Sequence, residues 1–204
     1  MTKHLIASLS AAALLALAPL AHAATVVDTG TPNGAAVGAL AFDGIDWAAA
    51  QVSFAQAANI DSIQGHVLGG ATGETFDISL FANDGGTGPG SLLYTTTATF
   101  GTDGWNGVSN LSGWTVTPGK YWIEFEIQGS DTLGSGSVTG ALLDVGAPNP
   151  LALTATTGDS GFSYQAGAQS FGLRMSAVPE VTGAWQMAAG MLLLSTMSLV
   201  RRRR

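Results

Sequence analysis

The chain has 204 residues, 28 of them glycine, no cysteine and a formal net charge of −7. Residues 24–177 hold 13 acidic side chains against only Lys120 and Arg174, which gives this segment a formal charge of −11. That balance argues against binding to nucleic acid or to anionic lipid, since both require a basic surface. The lack of cysteine excludes disulfides, thiolate metal sites, cysteine nucleophiles and c-type haem attachment.

The first 23 residues have the pattern of a secretory signal peptide. A short basic start with Lys3 precedes the apolar run 5–17, and small residues Ala21 and Ala23 flank His22. Because signal peptidase reads small residues at these two positions, we expect cleavage after Ala23. An N-terminal membrane anchor is the alternative, but the run is short and ends in this cleavage pattern.

Residues 24–177 form one domain by length, and their pattern predicts an all-β fold, an antiparallel β-sandwich or jelly roll. Short apolar stretches alternate with clusters of Gly, Ser, Thr and Asn. Gly65 is expected to mark a bulge. Strands are predicted at 26–27, 47–54, 60–68, 75–81, 92–100, 114–117, 121–127, 142–143, 151–153, 161–164 and 170–176.

The stretch 83–90 reads Asn-Asp-Gly-Gly-Thr-Gly-Pro-Gly and joins two of these strands. It predicts a hairpin-like pair with a long connection. Two interpretations of Asn83 and Asp84 stay open. Oxygen ligands on a glycine-rich loop suit calcium, the one cofactor that the sequence suggests. A tight turn that requires Asn, Asp and Gly explains the same residues.

In strand 121–127 the odd-numbered residues are apolar, which predicts that they face the core. The even-numbered residues, Trp122, Glu124 and Glu126, are predicted to face solvent. Two carboxylates about 7 Å apart are compatible with the acid and nucleophile of a glycosidase. Trp122 would then offer a stacking surface for sugar on the same face, and a carbohydrate-binding module would use exposed Trp122 or Trp105 in this way. The plainer interpretation is the solvated face of an amphipathic strand, with the tryptophans in the core or at a sheet edge.

His66 is the one histidine of residues 24–177. A Ser-His-Asp triad would need it as the base, but no Gly-x-Ser-x-Gly elbow accompanies it. We expect His66 to be a surface or edge residue. The glycine-rich stretches are not phosphate-binding loops either, because no Gly-Lys-Ser/Thr follows them.

The last 27 residues, 178–204, combine a short motif, an apolar run and a basic end. Val178-Pro179-Glu180-Val181 precedes an uncharged run to residue 200, and Arg201, Arg202, Arg203 and Arg204 follow. The uncharged run 181–200 has twenty residues, which span ~30 Å as a helix. We therefore predict a transmembrane helix at 183–200, which the arginines stop on the cytoplasmic side. The alternatives are a buried core helix and a permanent tail anchor.

This arrangement resembles the PEP-CTERM sorting signal. In that family an exosortase, a membrane-embedded protease with a cysteine nucleophile, recognises the tail, cuts near the motif and releases or transfers the protein. Pro179 and Glu180 match the first two motif positions, and Val181 stands where the family usually has a second proline. Residues 76–81, 85–90 and 118–123 also resemble the exported β-sandwich domains that carry this tail.

The sequence therefore predicts an exported, non-enzymatic surface or matrix protein, held transiently in the inner membrane and then placed at the cell surface or outside. The resemblance implies an exosortase-type protease as partner and an association with exopolysaccharide in a biofilm. Three alternatives remain: a carbohydrate-binding module, a hydrolase that uses carboxylates, and a permanently tail-anchored surface protein.

Overall fold

The computed structural model describes residues 22–33, 39–135, 140–167 and 169–180. The predicted signal peptide up to Ala21, the helix 183–200, Val181 and the four arginines lie outside these ranges. Within them no helix is long and apolar enough to cross a membrane. The strands of the described residues are β1 (Ala24–Asp28), β2 (Ala39–Phe42), β3 (Trp47–Phe54), β4 (Ala58–Leu68), β5 (Thr75–Ala82), β6 (Leu92–Thr99), β7 (Gly104–Ser109), β8 (Thr115–Val116), β9 (Gly119–Glu126), β10 (Ala141–Asp144), β11 (Thr154–Thr157), β12 (Gln165–Ala166) and β13 (Leu173–Pro179).

The strands form two antiparallel sheets. The seven-stranded sheet runs β1-β13-β4-β10-β2, with β7 and β8 also paired to β4. The six-stranded sheet runs β12-β11-β3-β9-β5-β6. Apolar side chains from both sheets are buried in one core. The prediction of an all-β antiparallel fold is confirmed, and two sheets around a common core are consistent with a β-sandwich.

β9 supplies the centre of the core, because its odd-numbered residues are apolar and face inward. Ile123 and Phe125 are fully buried. The Phe125 ring packs against Phe76 of β5, with centroids 6.3 Å apart, and edge-on against Phe171, at 5.8 Å. Phe171 pairs with Val145 directly after β10. One ring therefore links the two sheets.

In β4, buried and partly exposed residues alternate, and this alternation shifts by one residue between Ile60 and Ile63, which are both fully buried. The alternation is regular at Gly65. Gly65 faces the Phe125 ring, and a Cβ added there would lie 2.7 Å from Cε1 of that ring. The prediction of a bulge at Gly65 is wrong. The position is glycine because the ring leaves no room for a side chain.

The predicted hairpin is confirmed, since β5 and β6 pair antiparallel across the connection 83–91. In the last part of the chain, strands were predicted at 151–153 and 161–164. The observed strands β11 and β12 begin one residue after each of these ranges. β2 and β7 were not predicted. β7 pairs with β4 because Gly107, lacking a side chain, lets its backbone pass close to the Ile63 carbonyl.

Candidate functional site

The outer face of β9 carries Trp122, Glu124 and Glu126, and this face is buried. The exposed fractions of the three residues are 0 %, 0 % and 3 %. The prediction that they face solvent is wrong, although they do lie on the side of the sheet opposite the main core. Two segments contact the first two of these residues: Asn83 of the connection 83–91 binds Trp122, and Tyr164 of the segment 158–164 between β11 and β12 binds Glu124.

Small side chains around Glu124 leave space for Tyr164. Its cross-strand neighbours are Ala49 on β3 and Ser79 on β5, and Ala155 of β11 lies beyond Ala49. Tyr164 packs against a small apolar cluster that is separate from the main core and consists of Ala49, Ala155 and Trp122. Larger residues in place of the two alanines would occupy the space that the tyrosine fills.

The connection 83–91 closes over Tyr164 through a glycine. A Cβ added to Gly88 would lie 2.5 Å from Cβ of Tyr164, whereas a Cβ on Gly86 would meet nothing within 4 Å. The backbone at residue 88 is thus packed directly on the tyrosine side chain. We call Tyr164 and the connection 83–91 the lid.

Glu124 is a buried carboxyl group with one hydrogen-bond partner. The Tyr164 hydroxyl donates to Oε1 over 2.7 Å, and Oε2 has no partner. Burial raises the pKa of Glu124 to about 8, and the nearby Glu126 acts in the same direction, against the opposing effect of the tyrosine hydrogen bond. Glu124 is therefore mostly neutral at pH 7. Burial and Glu124 also raise the pKa of Tyr164.

Glu126 lies beside Glu124 in a similar environment. Gln128 Nε2 donates to its Oε2 over 2.9 Å, and Oε1 has no hydrogen-bond partner. Burial raises the pKa of Glu126, and the charges of Asp77 and Asp131 add to this, while Ser79 opposes it. The pairs His66–Asp144 and Arg174–Asp28 lie on the other, seven-stranded sheet.

This arrangement brings together two carboxyl groups, a tyrosine hydroxyl and an indole. A glycosidase needs its two carboxyl groups to flank a bound sugar. Here both glutamates are buried, Glu124 beneath Tyr164 of the lid and Glu126 beside Gln128, so neither carboxyl can contact a substrate from solution in this conformation. The geometry supports a structural role for Glu124, a neutral carboxylic acid that connects the lid to β9 through the hydrogen bond from Tyr164.

The predicted sugar-stacking tryptophans have different environments. Trp122 has no exposed surface and donates its Nε1–H to Asn83 Oδ1 over 3.0 Å, so the prediction is wrong for this residue. Trp105 is partly exposed on β7, but the Arg174 guanidinium covers one face of its ring, 4.0 Å from the centroid. His66 packs edge-on against Trp105, with centroids 5.2 Å apart.

Asn83 and Asp84 use their side-chain oxygens to build the turn. Asn83 Oδ1 accepts hydrogen bonds from Gln51 Nε2 at 2.9 Å and from Trp122 Nε1 at 3.0 Å. Asp84 Oδ2 accepts from the backbone N–H and the hydroxyl of Ser91, at 2.8 and 3.0 Å. In the described ranges no three His, Cys, Asp or Glu side chains are placed to hold a metal ion. These contacts fit the turn interpretation, and the calcium interpretation stays a prediction.

His66 is mostly buried, which corrects the prediction of a surface residue. Its Nδ1 lies 3.1 Å from Oδ2 of Asp144, with side-chain exposures of 12 % and 8 %. The atoms are at ion-pair distance without hydrogen-bond geometry, since Nδ1 has no hydrogen-bond partner. Sequence reasoning missed this pair because Asp144 lies on β10, far from β4 along the chain.

The described part of the sorting motif lies at the end of the last strand. β13 ends at Pro179, Val178 and Pro179 are partly buried, and Glu180 is exposed. At the N-terminal end of the domain, Ala23 is exposed, and β1 begins at Ala24, directly after the predicted signal cleavage point.

Sequence reasoning missed Tyr164, which was expected in a strand and instead covers Glu124. The small residues opposite Glu124 were visible in the sequence, but they lie on three different strands and their proximity depends on the register. No protein-family model matches the chain, and a search of curated proteins gives no significant match.

Proposed function

We propose that this chain is an exported, non-enzymatic β-sandwich protein of the cell surface or extracellular matrix, sorted through its C-terminal tail by an exosortase-type protease. It is held in the inner membrane until the tail is cut, and it then associates with exopolysaccharide. The observation that carries the proposal is the position of the two ends of the folded domain, next to each other on one pair of strands.

β1 and β13 pair antiparallel, and Ala24 lies opposite Ala177. The predicted signal cleavage point and the sorting motif therefore emerge at the same end of the same strand pair. Residues 23–178 form a compact unit, so cuts after Ala23 and near Glu180 would leave every strand of the domain complete. A domain with both ends on one side can fold outside the membrane while either terminal segment is still inserted.

Two further observations support a passive role outside the cell. The formal charge of −11 on residues 24–177 favours solubility and disfavours adhesion to anionic lipid. The paired glutamates, the strongest candidates for catalysis, are buried and hydrogen-bond to the protein's own Tyr164 and Gln128.

The test is the intact mass of the protein recovered from its host, with membrane, surface and medium fractions analysed separately. We expect a species that begins at Ala24, ends between Val178 and Val181, and occurs outside the membrane fraction. Pro179→Ala should shift the protein to the unprocessed membrane form, while Pro148→Ala, at an exposed proline away from the motif, should not. Val181→Pro completes the family motif and should increase the processed fraction.

A mass that runs to Arg204 and occurs only in membranes, for the wild type and for Val181→Pro alike, would refute sorting. The protein would then be a permanently tail-anchored surface domain.

A further inference from the structure

β6 is an edge strand with an open side. It lies at the end of the six-stranded sheet, pairs with β5, and in the described residues has no strand on its other side. It is eight residues long, whereas the other terminal strands of the two sheet orders are shorter: β12 has two residues, β2 four and β1 five. Short strands are one way in which proteins protect their sheet edges.

Residues 94–99 of β6 also lack the other protective features, since the one register shift in its pairing with β5 lies opposite Leu80 and Phe81, near the start of the strand. The whole strand reads Leu-Leu-Tyr-Thr-Thr-Thr-Ala-Thr, without charge, proline or glycine. Edge strands usually carry lysine, proline or a bulge that prevents pairing with another chain. β1, by comparison, has a register shift between Thr25 and Val27 and ends in Asp28. An uncharged, threonine-rich edge is unusual in a domain with a formal charge of −11.

The backbone of β6 presents alternate residues to the open side. Phe100 donates its N–H to Glu74 O over 2.7 Å just beyond the end of β6, which fixes the phase of the ladder with β5. Because antiparallel ladders alternate, the even-numbered residues from Tyr94 onward bond to β5, up to the register shift near the start of β6. Within residues 94–99 the odd-numbered residues therefore direct their N–H and C=O groups outward, and all three have exposed side chains: Thr95, Thr97 and Thr99.

We propose that β6 pairs antiparallel with β6 of a second copy of this chain, so that two six-stranded sheets continue into one. A two-fold axis at Thr96 places Thr95 opposite Thr97 of the second copy and Leu93 opposite Thr99. Thr95 and Thr97, which face outward in both copies, then bond in both directions, and the threonine pairs are favourable cross-strand neighbours. The exposed Leu92 and Leu93, at 55 % and 42 %, lose solvent-exposed surface in the pair.

A second copy fits this edge better than an unrelated acidic or basic strand, for two reasons. The uncharged strand is self-complementary about Thr96, and it lets two acidic domains approach where like charge is least. The inference does not depend on the proposed export and sorting.

The absence of cysteine allows a direct test in the full-length chain. Thr96→Cys, expressed in the host and treated with a mild oxidant, should form a disulfide-linked dimer. Opposite Cα atoms in a non-hydrogen-bonded pair are ~4.5 Å apart, within the range of disulfides. Thr95→Cys tests in the same way a pairing whose two-fold axis lies at Thr95 instead of Thr96. Thr25→Cys, an exposed threonine on edge strand β1, is the matched control and should remain monomeric.

A second measurement uses the wild-type chain and therefore does not depend on whether a cysteine variant folds. The wild-type chain, purified in mild detergent, should be dimeric by light scattering with the micelle mass subtracted. Thr95→Lys should reduce the dimer at least tenfold, while Thr25→Lys should leave it unchanged. A monomeric wild type would overturn the proposal. The proposal would also be overturned if Thr95→Lys left the dimer intact and neither Thr95→Cys nor Thr96→Cys formed a cross-link.

Discussion

At the residue scale, the most informative group is Glu124, a carboxyl with no exposed surface and a pKa of about 8. An ordinary glutamate in an unfolded chain has a pKa of 4.5. Between these values the folded state binds more protons than the unfolded state. The contribution of Glu124 to the free energy of unfolding therefore declines as the pH rises from 4.5 to about 8, by roughly 5 kcal/mol at most.

Glu124→Gln should remove most of this pH dependence, because the amide is neutral at every pH and its oxygen can still accept the Tyr164 hydrogen bond. The measurement is the urea midpoint at half-unit steps from pH 4.5 to 8.5. We expect a falling midpoint for the wild type and a flatter curve for the variant. Glu180→Gln, at an exposed glutamate beyond the last strand, should follow the wild type. Parallel curves for Glu124→Gln and the wild type would mean that Glu124 is charged in the folded protein.

The hydroxyl of Tyr164 gives a second prediction at this scale. Tyr164→Phe leaves both oxygens of Glu124 without a partner, and an unsatisfied buried polar group costs about 1–3 kcal/mol. Tyr94→Phe removes a hydroxyl that bonds to Thr115 in an exposed position, and it should cost less than about 0.5 kcal/mol. Equal losses in the two variants, measured by urea unfolding at pH 6, would show that the lid hydrogen bond contributes no more than an exposed one.

At the scale of elements, the sequence predicted the β5–β6 hairpin but not the position of its connection. The alternation of Phe76, Ile78 and Leu80 identifies a strand because the pattern lies within one element. The lid depends on Gly88 meeting Tyr164 from another part of the chain. No local pattern contains that contact, so Trp122 and Glu124 were predicted to be exposed.

Gly88→Ala tests the lid as an element. The added methyl group would overlap the Tyr164 side chain, so either the connection or the tyrosine must move away from Glu124. We expect a loss of roughly 1–3 kcal/mol and faster hydrogen exchange in 83–91 and 158–164. Gly86→Ala lies in the same connection with open space around it and should have little effect. If the two variants exchange alike, the connection does not hold Tyr164 in place.

At the scale of the whole molecule, composition and alternation were sufficient to predict an all-β antiparallel fold, because the core faces of β5 and β9 repeat every second residue. The pairing of β1 with β13 was not predictable in this way. It joins the two ends of the domain, and no local pattern specifies a contact over that separation. The same holds for His66 and Asp144, which the sheet order brings together.

The pairing of β1 with β13 leads to a prediction about the ends of the domain. A chain that stops at Glu180 keeps all of β13 and should unfold at the same midpoint as the full-length chain in the same detergent. A chain that stops at Gly172 loses Leu173, Met175 and Ala177, which are 0 %, 2 % and 3 % exposed. Burial of one large apolar side chain is worth about 2–5 kcal/mol, and total domain stability is about 5–15 kcal/mol.

The shorter chain should therefore show no cooperative thermal transition by circular dichroism, while the chain ending at Glu180 should show the full one. This difference matters for sorting, because a cut inside β13 would expose the edge of β4 and the core behind it, whereas a cut at the motif leaves the sheet closed. A cooperative transition in the chain that stops at Gly172 would mean that β13 is dispensable, and the folded domain would then not determine where the tail can be cut.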